Sequence, residues 1–153
     1  MWVGIVGSRD FGDCPCLLVP KHFPPRPSEA EHATRCPVIL SHLLMLNIVT
    51  RWSARPGFEG IASGDARGAD LLAKETCRML GVKYEGYPPD GGSDPFWMRA
   101  HARNQRIVDK VDVLVALFSS SQRSPGTSDT IRRAKAKGIP VWVWQEGVWA
   151  AEP

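Results

Sequence analysis

Apolar residues in this chain fall into short unbroken runs, separated by segments with helical spacing. Trp2 to Gly7, WVGIVG, is an apolar run closed by glycine and predicts a first buried strand. Phe58 to Ser63, Val82 to Tyr87, Asp112 to Phe118 and Pro140 to Trp144 predict four more. DVLVALF shows no alternation, as expected of a strand covered on both faces. Between these runs, Ile39, Leu43, Leu46 and Val49 recur at helical spacing behind Pro37 and predict a helix over Val38 to Ser53. Its further apolar residues lie off that stripe, so the helix is expected to be well buried or to face a partner. Ala69 to Leu80 reads as a helix stopped by Gly81. Asp94 is placed to cap another from Pro95 to about Val108, and Ser128 to Lys137 reads as a fourth, stopped by Gly138. Strand and helix alternate throughout. The pattern predicts one α/β domain over residues 1–153, a mainly parallel five-stranded sheet with helices on both faces.

Prolines at 15, 20, 24, 25, 27 and 37 interrupt the pattern, and residues 13–37 read as an irregular loop or insertion. Cys14, Cys16, His22, His32 and Cys36 fall within it, but Cys-Pro-Cys does not match the usual two-residue separation of zinc-binding cysteines. Free thiols are the expectation, with no metal and no cofactor. Four cysteines are too few and too scattered for a disulfide scaffold.

The 153 residues suffice for one hydrophobic core, and 43% hydrophobic with 23% charged residues is ordinary for a globular protein. No apolar stretch approaches the ~18 residues that cross a bilayer, and no leader pattern precedes the first strand, so a cytoplasmic protein without membrane association is expected. A net charge of +3 suits small anionic ligands. It comes without basic runs or a basic-and-aromatic groove pattern, which argues against nucleic acid as a partner.

In parallel sheets the ligand crevice lies beyond the carboxyl ends of the strands. Three of the four segments leaving those ends are rich in Gly, Ser, Thr and Arg: Gly7 to Asp10, Ser63 to Asp70, and Ser119 to Thr127. Glycine turns at a helix start present backbone N–H groups to an anion, and arginine adds a planar fork for phosphate oxygens. In SGDARGAD, Gly64 and Gly68 permit close backbone approach, and Arg67 can hold phosphate or lock the loop. Asp70 is placed to cap the next helix, and Asp65 to accept from ribose hydroxyls or from Arg67. A capped strand-to-helix turn with Arg67 paired to an aspartate explains the same residues without a ligand.

Four segments, VGIVGSRDF, SGDARGADLLA, RNQRIVDKVDVLVALF and SPGTSDTIRRAKAKGIPV, occur in an order and spacing that resemble the YspA-like branch of the SLOG superfamily. That superfamily also holds the lonely-guy hydrolases and DNA-processing protein A. The resemblance spans most of the chain outside residues 13–37. It implies a Rossmann-like domain that binds a nucleotide or nucleotide-derived ligand, often in phage or bacterial conflict systems, and commonly as a dimer or larger homo-oligomer. Carried over by position, it implies ligand contacts from Gly7, Ser8 and Arg9, from Gly64, Arg67, Gly68 and Asp70, from Arg103 and Asn104, and from Gly126 and Thr127. The chain departs from the hydrolases in two places. Ser124 and Pro125 stand where they carry paired glycines, and Thr130 stands where they carry a glutamate, with Asp129 one residue out of register. A sensor or sequestering protein without turnover is therefore expected, with a phosphoribohydrolase-like N-glycosidase and a single-stranded DNA binder as alternatives. No catalytic residue is assigned, and His101 reads as a helix-surface residue. Trp142, Trp144 and Trp149 suit a core or a subunit interface, and the resemblance favours the interface.

Overall fold

The computed structural model describes residues 1–12, 37–119 and 123–152. The proline-rich segment and its candidate thiol and histidine ligands therefore lie outside the described residues, save for Pro37. The elements run β1 (Trp2–Gly7), α1 (Pro37–Ser53), β2 (Gly60–Ser63), α2 (Ala69–Leu80), β3 (Tyr84–Gly86), α3 (Phe96–Lys110), β4 (Val113–Phe118), α4 (Pro125–Ala136), β5 (Val141–Gln145) and β6 (Val148–Glu152). They form one sheet in the order β3-β2-β1-β4-β5-β6. Every neighbouring pair is parallel except β5 with β6.

Alternation along the strands assigns the two faces. Val3 and Ile5 of β1, with Val115 and Leu117 of β4, pack beneath α1 and α2 against Met45, Val49, Leu72 and Cys77. Trp2 and Val6, with Leu114, Ala116 and Phe118, face the opposite way toward Ile107 and Val108 of α3 and Ile131 of α4. Both central strands are thus buried on both sides, which is why their sequences lack alternation.

Among the described residues the expected five strands become six. Glu146 (φ 52) and Gly147 (φ 82) form a two-residue turn, and the chain returns antiparallel along β5 with Trp144 opposite Trp149. Element ends also move. Phe58 and Glu59 precede β2 because their N–H groups go to Arg55 O and Met1 O, and α4 begins at Pro125, in the first helical turn where proline fits. Asp94 does not cap α3: Pro95 holds that position, no side chain caps it, and the Asp94 carbonyl instead accepts from Arg99 Nε at 3.0 Å.

The chain moves outward from β1 to β3 on one side and from β4 to β5 on the other. Sheet order therefore reverses between β1 and β4, and the carboxyl ends of these strands diverge into a crevice.

Candidate functional site

A cleft of about 480 Å³ opens at that point. The end of β1 and the residues after it contribute Val6, Gly7, Arg9 and Asp10; the loop after β2 contributes Ala66, and the first turn of α2 contributes Asp70. Helix α3 supplies Arg103, Asn104 and Ile107, and the start of α4 supplies Ser124 to Thr127 with Thr130. Of the twelve residues expected at a ligand, the fold brings seven to this cleft: Gly7, Arg9, Asp70, Arg103, Asn104, Gly126 and Thr127.

The other five lie outside the lining, three of them packed behind it. Ser8 is buried; its N–H donates to Leu117 O, and its carbonyl accepts from Phe11 and Ala69. Gly68 lies against that same backbone with φ 87, where a Cβ would strike Ser8 O and Arg9 O. Gly64 is fitted beneath Arg103, whose Nη1 donates to its carbonyl at 2.7 Å. Asp65 takes Lys74 Nζ at 2.8 Å and the Tyr84 hydroxyl at 3.3 Å, so it serves β3 and α2. Arg67 is exposed and stands outside the cleft lining.

Asp70 does not cap α2. Gly68 occupies the cap position without any side-chain hydrogen bond, and Asp70 sits inside the first turn. Its carboxylate accepts the Ala66 N–H at 3.3 Å and lies 3.9 Å from Arg103 Nη1. Both side chains are largely buried, at 8% and 12% exposure. Burial pushes the Asp70 carboxyl up to about 6, although Arg103 and the Ala66 N–H oppose it. Burial likewise lowers Arg103, against the attraction of Asp70. The contact at 3.9 Å is loose, and Arg103 Nε, buried and without a partner, leaves that guanidinium only partly satisfied.

Across the cleft, α4 starts with its end open. Ser124 is the cap residue, yet among the described residues no side chain caps the first turn, because the Ser124 hydroxyl donates instead to Thr127 Oγ1 at 2.7 Å. The Ser128 N–H already bonds Ser124 O, so the N–H groups of Gly126 and Thr127 are the ones left at the cleft wall. Asn104 and Thr130 both donate to Gly126 O, at 3.3 and 3.0 Å, and fix this turn. Asp129 then holds Asn104 Nδ2 at 3.1 Å. Burial alone would raise the Asp129 carboxyl, but hydrogen bonds from Arg133, Asn104 and Arg132 outweigh it and hold it at about 2. With both amide protons engaged, Asn104 has its carbonyl oxygen to offer.

Sequence reasoning missed Asp129 as the residue that positions Asn104, and Asp10, Ala66, Ser124 and Thr130 as wall. The spacing of Asp129, Arg132 and Arg133 along one helix face was the available signal for the first. His101 stands exposed at the rim, 3.6 Å from Asp129. Among the described residues no cluster of three or more His, Cys, Asp or Glu could hold a metal ion, and no helix is long and apolar enough to cross a membrane.

The arrangement can hold an anion between an open helix start and two guanidinium groups, with acceptors at Asp10, Asp70 and Asn104 for hydroxyls or base edges. No family model matches the chain, and no curated protein matches it.

Proposed function

We propose that the protein binds a nucleotide or nucleotide-derived ligand in this cleft, as a Rossmann-like sensor or sequestering protein of the YspA-like SLOG kind. One observation carries the reading. The uncapped start of α4 lines the same cleft as Arg9 and Arg103, so helix dipole, free N–H groups and two cations converge on one volume. A cleft of about 480 Å³ matches a ligand of nucleotide size. Calorimetric titration with nucleoside monophosphates and the matching nucleosides tests it. Binding that requires the phosphate supports the reading, and equal binding of the nucleoside contradicts it.

A second reading, an N-glycosidase acting on nucleotides, draws on Asp70. A carboxyl near 6 at the cleft wall is suited to proton transfer at neutral pH. Thr130, whose hydroxyl donates to Gly126 O, puts no charge at the place where the hydrolases carry glutamate. Release of free base from nucleoside monophosphates, lost in Asp70→Asn, would favour turnover over binding.

A further inference from the structure

A second groove, of about 340 Å³, lies on the other face of the sheet. Helices α1 and α2 cover β1, β2 and β4 there, and β5 with β6 extends beyond them. Pairing places Trp142 opposite Ala151 and Trp144 opposite Trp149, so three indoles share the overhanging surface. Trp144 packs into the core and meets Trp149 edge-on at 5.2 Å, while Trp142 and Trp149 stay 42% and 40% exposed. The end of α1 forms the opposite bank with Asn47, Arg51 and Trp52, followed by Arg55, whose guanidinium stacks over the Trp52 ring at 4.0 Å. No residue is shared with the first cleft, and no described residue lining the groove is acidic.

We propose that this groove takes an unpaired base and its adjoining phosphate from a single strand of nucleic acid. Exposed indoles accept any base by stacking, and two guanidinium groups at the rim answer the phosphates. The openness selects a strand over a free small molecule. Small ligands are held by sites that enclose most of their surface, whereas a strand crossing the edge brings neighbouring nucleotides that cover what the groove leaves bare. The charges select it over a second copy of the chain. A two-fold pairing through this surface would bring Arg51 and Arg55 toward the same groove of the other copy, where no described lining residue is a carboxylate to answer them. The basic-and-aromatic pattern is invisible along the sequence because Trp52 and Trp142 are far apart in the chain and meet only through the fold.

The test is fluorescence anisotropy of a fluorescein-labelled oligothymidylate of about a dozen nucleotides, at ~50 and ~200 mM salt. The wild type is expected to bind with a salt slope of about −1.4, for two phosphates neutralised on a single strand. Trp142→Ala is expected to weaken binding by about five- to a hundredfold, Trp142→Phe by less, and Arg78→Ala, a surface cation outside both sites, not at all. Absence of binding, or unchanged binding by Trp142→Ala, overturns the proposal. So does loss of the strand in Arg9→Ala with Trp142→Ala unaffected, which would put the strand in the first cleft. Displacement of the strand by thymidine monophosphate at equal affinity would replace it with a free-nucleotide site. A dimer dissociated by Trp142→Ala, without strand binding, would replace it with a subunit interface. Nucleotide binding in the first cleft is read separately by calorimetry, so either proposal can fail alone.

Discussion

Replacing Asp70 with asparagine should remove a specific pH dependence of stability. In the folded chain the Asp70 carboxyl titrates at about 6, against an ordinary value of 3.8, because burial beside the cleft disfavours its charge more than Arg103 favours it. Between those two values the native state keeps a proton that the unfolded chain has released. Stability therefore falls as pH rises through this window, and the displacement corresponds to ~3 kcal/mol by the time the native carboxyl is fully ionised. Asp129 moves the other way and in another range. Held at about 2, it contributes stability that is complete above the ordinary carboxylate value and disappears only toward strong acid. The difference between wild type and Asp70→Asn isolates the first effect. Urea denaturation followed by tryptophan fluorescence, at intervals from pH 3 to pH 8, should show that difference drifting by ~3 kcal/mol in favour of Asn as pH rises. For a chain of 153 residues that is a relative change in Tm of roughly 6–12 °C. Asn keeps an oxygen for the Ala66 N–H but loses the attraction to Arg103, which offsets the curve without giving it a slope. A difference that stays flat across the window would refute a buried, proton-holding Asp70.

Arg9 is exposed at the cleft, so Arg9→Ala should cut affinity for a nucleoside monophosphate by about ten- to a hundredfold and leave Tm unchanged; Arg67→Ala, outside the lining, should cost less affinity. Calorimetry and thermal melts on both variants check this. Gly68→Ala should destabilise by more than ~1 kcal/mol in chemical denaturation, because a Cβ there meets Ser8 O and Arg9 O and φ is 87. It should also weaken nucleotide binding, since the loop it displaces carries Arg9. Asp129→Asn should lower Tm and broaden the side-chain amide signal of Asn104 in NMR spectra, because it weakens the anchor at 3.1 Å that orients that amide.

The layers of the fold were legible because burial on both faces and helix stops leave marks in the sequence. β4 reads as an unalternating apolar run, and Gly81 closes α2 in the left-handed conformation (φ 66) that glycine favours. β6 left a weaker mark. Its signal is the Glu146-Gly147 pair between VWVW and VWAA, a turn that needs positive φ at both residues, and a glutamate in that role is uncommon. That the crevice lies beyond the carboxyl ends of the strands followed from the alternation of strand and helix, and seven of the expected residues meet there. What local chemistry did not reveal is the division of labour inside SGDARGAD. Gly64 reads as a phosphate-binding glycine until Arg103, distant in sequence, is seen lying on it. Asp65 reads as a ribose acceptor until Lys74 and Tyr84 claim it. The open helix start lies on α4, which begins three residues before the Ser128 that the sequence predicts. The Ser124 hydroxyl bonds Thr127 instead of the backbone, and only the folded turn makes that visible.

The proposed function requires a phosphate on the first turn of α4, where backbone amide shifts would register it. A ¹⁵N-labelled sample titrated with a nucleoside monophosphate should show its largest amide displacements at Gly126 and Thr127, with the matching nucleoside producing far smaller ones. Displacements confined to other segments, or equal for nucleotide and nucleoside, would rule out a phosphate at that helix start.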